Sequence, residues 1–174
     1  MKKLTLIIFL LSTLNFYGQS LSIGPQVGFI KTSDADNSKL MPSVAARLNL
    51  LNLTFEGSVG YKTDEFENGS IKTTSYPILL TAMLGVLPLI HVEAGMGWYK
   101  TKLEFSNLFS NTPSETQSKT GYHVGAGAEI PLGNLVLTGD VRYVFLDLDF
   151  NNISSIAKLK SDYYVLLVGL MFKL

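Results

Sequence analysis

HVEAGMGWYK, residues 91–100, sorts into two sets when every second residue is read. His91, Glu93, Gly95, Gly97 and Tyr99 fall on one side, and Val92, Ala94, Met96 and Trp98 on the other. A period of two describes a strand with one polar or small face and one apolar face. In a water-soluble protein the apolar face turns inward. Here the rest of the chain argues that it turns outward, into lipid.

Eight stretches carry the same alternation: 21–31, 42–50, 53–62, 73–85, 89–100, 120–130, 135–146 and 161–174. The connections between them measure about 10, 2, 10, 3, 19, 4 and 14 residues, long and short by turns. Tight turns at one end, large loops at the other and an even strand number are the pattern of a transmembrane barrel. The expected fold is all-β, an eight-stranded antiparallel up-and-down transmembrane β-barrel. Its short turns are expected at Leu51-Asn52, at Val86-Leu87-Pro88 and at Pro131-Leu132-Gly133-Asn134. No stretch after the leader reaches 18 uninterrupted apolar residues; Pro77, Thr81, Gly85 and Pro88 break up the nearest, 76–90.

The two faces separate cleanly. The apolar phase of every strand is free of charge, and it carries Phe29, Tyr61, Tyr76, Trp98, Tyr122, Tyr143 and Tyr164 near the long-loop ends. Amphipathic rings favour headgroup level, so these seven are expected to form a membrane-interface belt. Phe172 and Phe55 make a thinner girdle at the other end. The opposite phase is rich in Gly, Ala, Ser and Thr, as the crowded lumen of an eight-stranded barrel requires. It also holds Arg47, Lys62, Arg142 and Lys173 against Glu56, Glu93, Glu129 and Asp140, with His91 and His123. Unpaired charges in a closed lumen cost several kcal/mol each, so four are expected to meet four. Counting back from the Leu51-Asn52 turn sets Arg47 opposite Glu56. The same counting from residues 131–134 sets His123 near Arg142. A balanced, filled lumen argues for a plug rather than an ion-selective pore. Pro25 and Pro77 fall where ladders are paired on both sides, and a bulge or late pairing is expected there.

MKKLTLIIFLLSTLNFYG, residues 1–18, has a basic start and an apolar run from Leu4 to Leu11 that is too short to span a bilayer. It reads as a signal peptide cut before Gln19, leaving the barrel as residues 19–174; a retained anchor helix is the alternative. The 174 residues are 47% hydrophobic and only 16% charged, with formal net charge zero and no basic run, so no nucleic-acid partner is expected. Cysteine is absent, which excludes disulfides, thiolate metal sites, cysteine catalysis and a lipidated N-terminal cysteine.

No catalytic, cofactor or metal site emerges. His91 and His123, the only histidines, fall on the inward phase of non-adjacent strands and read as lumen hydrogen-bonders. A lipid-modifying barrel enzyme needs a lipid-facing His and Ser, and no histidine lies on that phase. Asp34, Asp36 and Asn37 lack the glycine and distal glutamate of a calcium loop. Asn68-Gly69 is turn chemistry.

VEAGMGWYK, GYHVGAGAEIPLGNLVLTGDVRYVF and the terminal YYVLLVGLMFKL resemble the small outer-membrane β-barrel proteins of OmpA-like and OmpX-like type. The shared features are a glycine-aromatic strand, a GAGxE strand before a short turn, and an arginine-tyrosine strand. The chain departs from the family at its end, where Phe172 lies two residues in and Leu174 takes the last place. The resemblance implies a bacterial outer membrane, both termini periplasmic, and a final strand read by the barrel-insertion machinery. No domain is expected after Leu174. The expected role is a structural or surface-recognition platform, a monomer in contact with outer-membrane lipids and with an unidentified extracellular ligand at its four long loops. Leu103, Phe105, Leu108 and Phe109 are either an apolar contact surface or a strand extension. The alternatives are a narrow passive channel for small or apolar molecules, a lipid-modifying enzyme, and a soluble lipid-binding barrel.

Overall fold

The computed structural model describes residues 19–32, 39–66, 71–105, 115–148, 159–160 and 162–174. The leader of residues 1–18, the 34–37 and 68–69 stretches, Leu108 and Phe109 lie outside them.

The strands are β1 (Gln19–Thr32), β2 (Lys39–Leu50), β3 (Leu53–Gly60), β4 (Lys62–Phe66), β5 (Ile71–Leu87), β6 (Ile90–Phe105), β7 (Glu115–Leu132), β8 (Leu135–Phe145), β9 (Asp147–Leu148), β10 (Leu159–Lys160) and β11 (Tyr163–Lys173). β3 and β4 are two lengths of one stave, interrupted at Tyr61, and both pair with β5. Every stave pairs antiparallel with its sequence neighbour, and β1 pairs with β11 to close the cylinder. The result is a closed eight-stave barrel. Closure follows from the solvent: hydrocarbon offers a free sheet edge no hydrogen-bond partner. β9 and β10 form a small ribbon between β8 and β11.

All three short turns hold two residues: Leu51-Asn52, Pro88-Leu89 and Gly133-Asn134. Two of them are tighter than the sequence suggests. β5 runs on to Leu87 over a bulge at Val86, with Gly85 opposite His91 and Leu87 opposite Ile90. β7 runs through Pro131, which pairs with Val136. That slip of two residues sets the direct partners: His123 lies opposite Val144, two residues along β8 from Arg142, and it is Gly125 that faces Arg142. Gly133 and Leu51 have positive φ, 68° and 56°. Glycine adopts that conformation freely, but for leucine it costs about 1–2 kcal/mol. Leu51 is also 91% exposed, so it gains little from packing. Leu51→Asn is expected to raise stability by about 1 kcal/mol, read as a higher urea midpoint for the refolded barrel.

Both prolines sit at breaks in a ladder. The β1–β11 register skips Gly24 and Pro25, while β1–β2 pairing continues across them. Pro77 stands where β3 gives way to β4. A residue without an N–H costs least where no partner waits for it.

At the long-loop end, β5, β6 and β7 overrun their expected limits. Ile71 pairs with Phe105, and Leu103 with Glu115. Leu103 and Phe105 are thus part of a strand extension.

Burial alternates along the staves with the expected sense. Trp98 and Leu166 are 43% and 45% exposed, whereas Arg47 and Asp140 are 1% and 0% exposed. All seven belt aromatics lie on the outward phase, and rings pack against one another tilted in Tyr61–Tyr76 and Tyr143–Tyr164 and edge-on where Tyr143 meets Phe145. Among the described residues, no charged side chain lies on the outward phase between that belt and the tight turns.

Candidate functional site

The lumen is layered along its axis. Ile30, Met41, Leu79, Tyr99, Val144, Leu146, Tyr163, Val165 and Leu167 fill the long-loop half as one buried apolar cluster. The middle is ionic. The tight-turn half opens into a vestibule of about 590 Å3, with Arg47, His91 and Glu129 at its floor and Ser20, Asn49 and Lys173 on its walls.

Two arginines organise the ionic layer. On β2, Arg47 Nε donates to Glu56 Oε2 at 2.7 Å, Nη1 to Glu129 Oε1 at 2.5 Å and Nη2 to Asp140 Oδ2 at 3.0 Å. On β8, Arg142 Nε donates to Glu93 Oε1 at 2.8 Å, and its Nη2 to Glu93 Oε2 and Glu56 Oε1, each at 2.9 Å. Glu56 is therefore shared by both guanidiniums. It also accepts from Gln26 Nε2 at 3.1 Å. Asp140 Oδ1 accepts from His91 Nε2 at 2.9 Å. Six staves contribute to one connected network, so it ties together segments far apart in sequence.

The small residues of the GAGAE strand make room for this layer. A Cβ on Gly127 would overlap Asp140 Oδ1 and approach His91 Nε2. A Cβ on Gly125 would stand 2.7 Å from Glu93 Oε1.

The placement of the expected lumen residues departs from a simple four-against-four pairing. Arg47, Glu56, His91, Glu93, Glu129, Asp140 and Arg142 come together. His123 stands apart, hydrogen-bonded to Thr81 Oγ1 at 2.9 Å. Lys62 lies higher, its Nζ 4.6 Å above the Tyr163 ring, and Lys173 is exposed at the vestibule mouth. Two arginines thus serve four carboxylates. Gln26 and Thr81 complete the polar contacts and were legible only as members of the inward phase. His91, Glu93 and Asp140 bring one potential ligand atom each within 4.8 Å of the others. Every one of those carboxylate oxygens already accepts from an arginine or from His91. The arrangement is chemically a salt-bridge layer rather than a vacant coordination sphere.

An apolar exterior, a charged interior and a sheet without edges define the class: an eight-stranded membrane β-barrel. Solved structures carry the same fold. Neisserial surface protein A matches with a TM-score of 0.63 at 14% identity, over 91% of this chain and 98% of that one. A major outer membrane protein from Thermus thermophilus matches at 0.60 and 17% identity, over 91% and 100%. Ail, the attachment invasion locus protein of Yersinia pestis, matches at 0.54 and 18% identity, over 90% and 97%. No family model and no curated protein matches the sequence.

Proposed function

We propose that the protein is a sealed outer-membrane barrel that serves as a structural or surface-recognition platform. Its long-loop rim faces the exterior and both termini face the periplasm. The observation that carries this reading is the double closure of the lumen. The ionic layer blocks the axis once, and the nine-residue apolar cluster blocks it again. An ion crossing the second layer would lose its water without gaining a ligand. The reading is non-catalytic, because both histidines are engaged inside the barrel. The overrun of β5–β7 past the aromatic belt supports a display role, with an extracellular ligand met by the rim. Phe172, outward on the final strand, supports docking of β11 to the insertion machinery. The protomer works as a monomer.

The vestibule favours the second reading, a narrow passage for small or apolar molecules, since it opens half the axis. Planar-bilayer recording decides between them. The refolded protein is expected to give no steady openings above the lipid baseline. Reproducible unitary steps would overturn the sealed platform and establish the passage.

A further inference from the structure

The outward face of β4–β7 changes character just past the belt. On β6 the outward phase continues from Trp98 to Lys100 and Lys102, both exposed, while the intervening Tyr99 and Thr101 are buried. Register places Tyr76 and Ser118 on either side of Lys100, Thr74 beside Lys102, and Thr120 beside Trp98. Two ammonium groups therefore stand among hydroxyls, with the exposed Tyr76 ring beside Lys100 and the exposed Trp98 and Tyr122 rings below. Lys102 also engages a neighbour within the protein, so Lys100 leads the patch.

The adjoining staves β8 and β11 differ. There Asp162 sits over the belt, accepting from Tyr143 Oη at 3.3 Å and from the Leu146 N–H at 3.0 Å. Among the described side chains, the belt is thus cationic over β6 and acidic over β8 and β11.

Height decides what the lysines meet. Lys100 and Lys102 lie two and four residues past Trp98. At about 3.3 Å per residue and a strand tilt of roughly 40°, that is about 5 and 10 Å along the membrane normal. The headgroup layer is about 5–7 Å deep on each side. Lys100 stands within it, and Lys102 reaches back into it by snorkelling.

We propose that this face is a one-sided docking patch for the phosphate of an anionic lipid headgroup, held by Lys100 and Lys102 and framed by Ser118, Thr74 and Thr120. The claim rests on the membrane-barrel reading. It goes beyond that reading by assigning a lipid class to one quadrant of the wall. Charge complementarity names the phosphate. The belt beneath, which already lies at headgroup level, names the lipid as its source.

The chain's one tryptophan is the reporter, because Trp98 lies directly under the patch. The full-length mature protein is reconstituted into phosphatidylcholine vesicles holding a minor fraction of brominated lipid, either phosphatidic acid or phosphatidylcholine. Brominated phosphatidic acid is expected to quench Trp98 as though enriched roughly fivefold per lysine engaged. The double variant Lys100→Gln with Lys102→Gln is expected to abolish that preference while keeping its heat-modifiable gel shift. The pair Lys100→Arg with Lys102→Arg is expected to retain it. Equal quenching by the two lipids overturns the proposal, as does a preference that survives in the glutamine variant. Suppression of the preference by inorganic phosphate overturns the lipid as source. No quenching by either lipid overturns the lipid-facing position of Trp98, and the membrane-barrel reading with it.

Discussion

Arg142→Ala is expected to cost the barrel roughly 3–5 kcal/mol of stability. The guanidinium is fully buried and holds Glu93 through both oxygens and Glu56 through one. Removing it strands Glu93 in a closed lumen and takes one of the two guanidiniums from Glu56, with only Arg47 left to serve four carboxylates. Alanine also leaves a void where the guanidinium packed, which adds a packing loss to the electrostatic one. Urea unfolding followed by Trp98 fluorescence measures the change. The triple variant Arg142→Met, Glu93→Gln, Glu56→Gln is expected to recover part of the loss, because it removes the orphaned charges together with their partner. A cost below about 1 kcal/mol for Arg142→Ala would show that water, not protein, satisfies those carboxylates.

Val168→Arg is the second large effect, expected to cost about 2–4 kcal/mol in a bilayer. Val168 is exposed on β11, four residues below Tyr164 and four above Phe172, beside Val27 and Gly139. On the surface of a soluble protein that substitution would be close to neutral. Midway down a lipid-facing wall it places a guanidinium in hydrocarbon. Refolding yield into vesicles reads the difference. The conservative control Val168→Leu is expected to fold like the parent. Equal yields for the arginine and leucine variants would remove the main support for a membrane-embedded wall.

The parts of this architecture differ in how openly the residues announce them. The opposition of Arg47 and Glu56 is readable because Leu51-Asn52 admits one turn length and the count is then fixed. The Arg142 side is harder. Pro131 suggests a break, yet the strand carries it as its second-last pair and tightens the turn to Gly133-Asn134. A shift of two residues keeps every side chain on its face and changes every partner. Face assignment therefore survives an error that neighbour assignment does not. The apolar cluster is hidden for another reason. In YYVLLVGLMFKL, Val165 and Leu167 turn inward and Leu166 and Val168 outward, so both phases are hydrophobic and the alternation is silent. Tyr99 is the exception, since it shares the inward phase of His91 and Glu93. The vestibule leaves no mark at all, because an empty volume has no residue of its own.

The layering of the interior bears on how such a cylinder is threaded into place. In the proposed orientation, with both termini on the inner side, the loop-bearing rim is the leading edge and must traverse the oily slab first. Behind it follows a core of Ile30, Leu79, Val144 and Leu167, which asks little of hydrocarbon even before the walls have met. The guanidinium–carboxylate lattice draws on six separate staves, so it completes only as the last seam shuts. In that sequence the greasy end travels ahead, and the ionic clasp locks behind it.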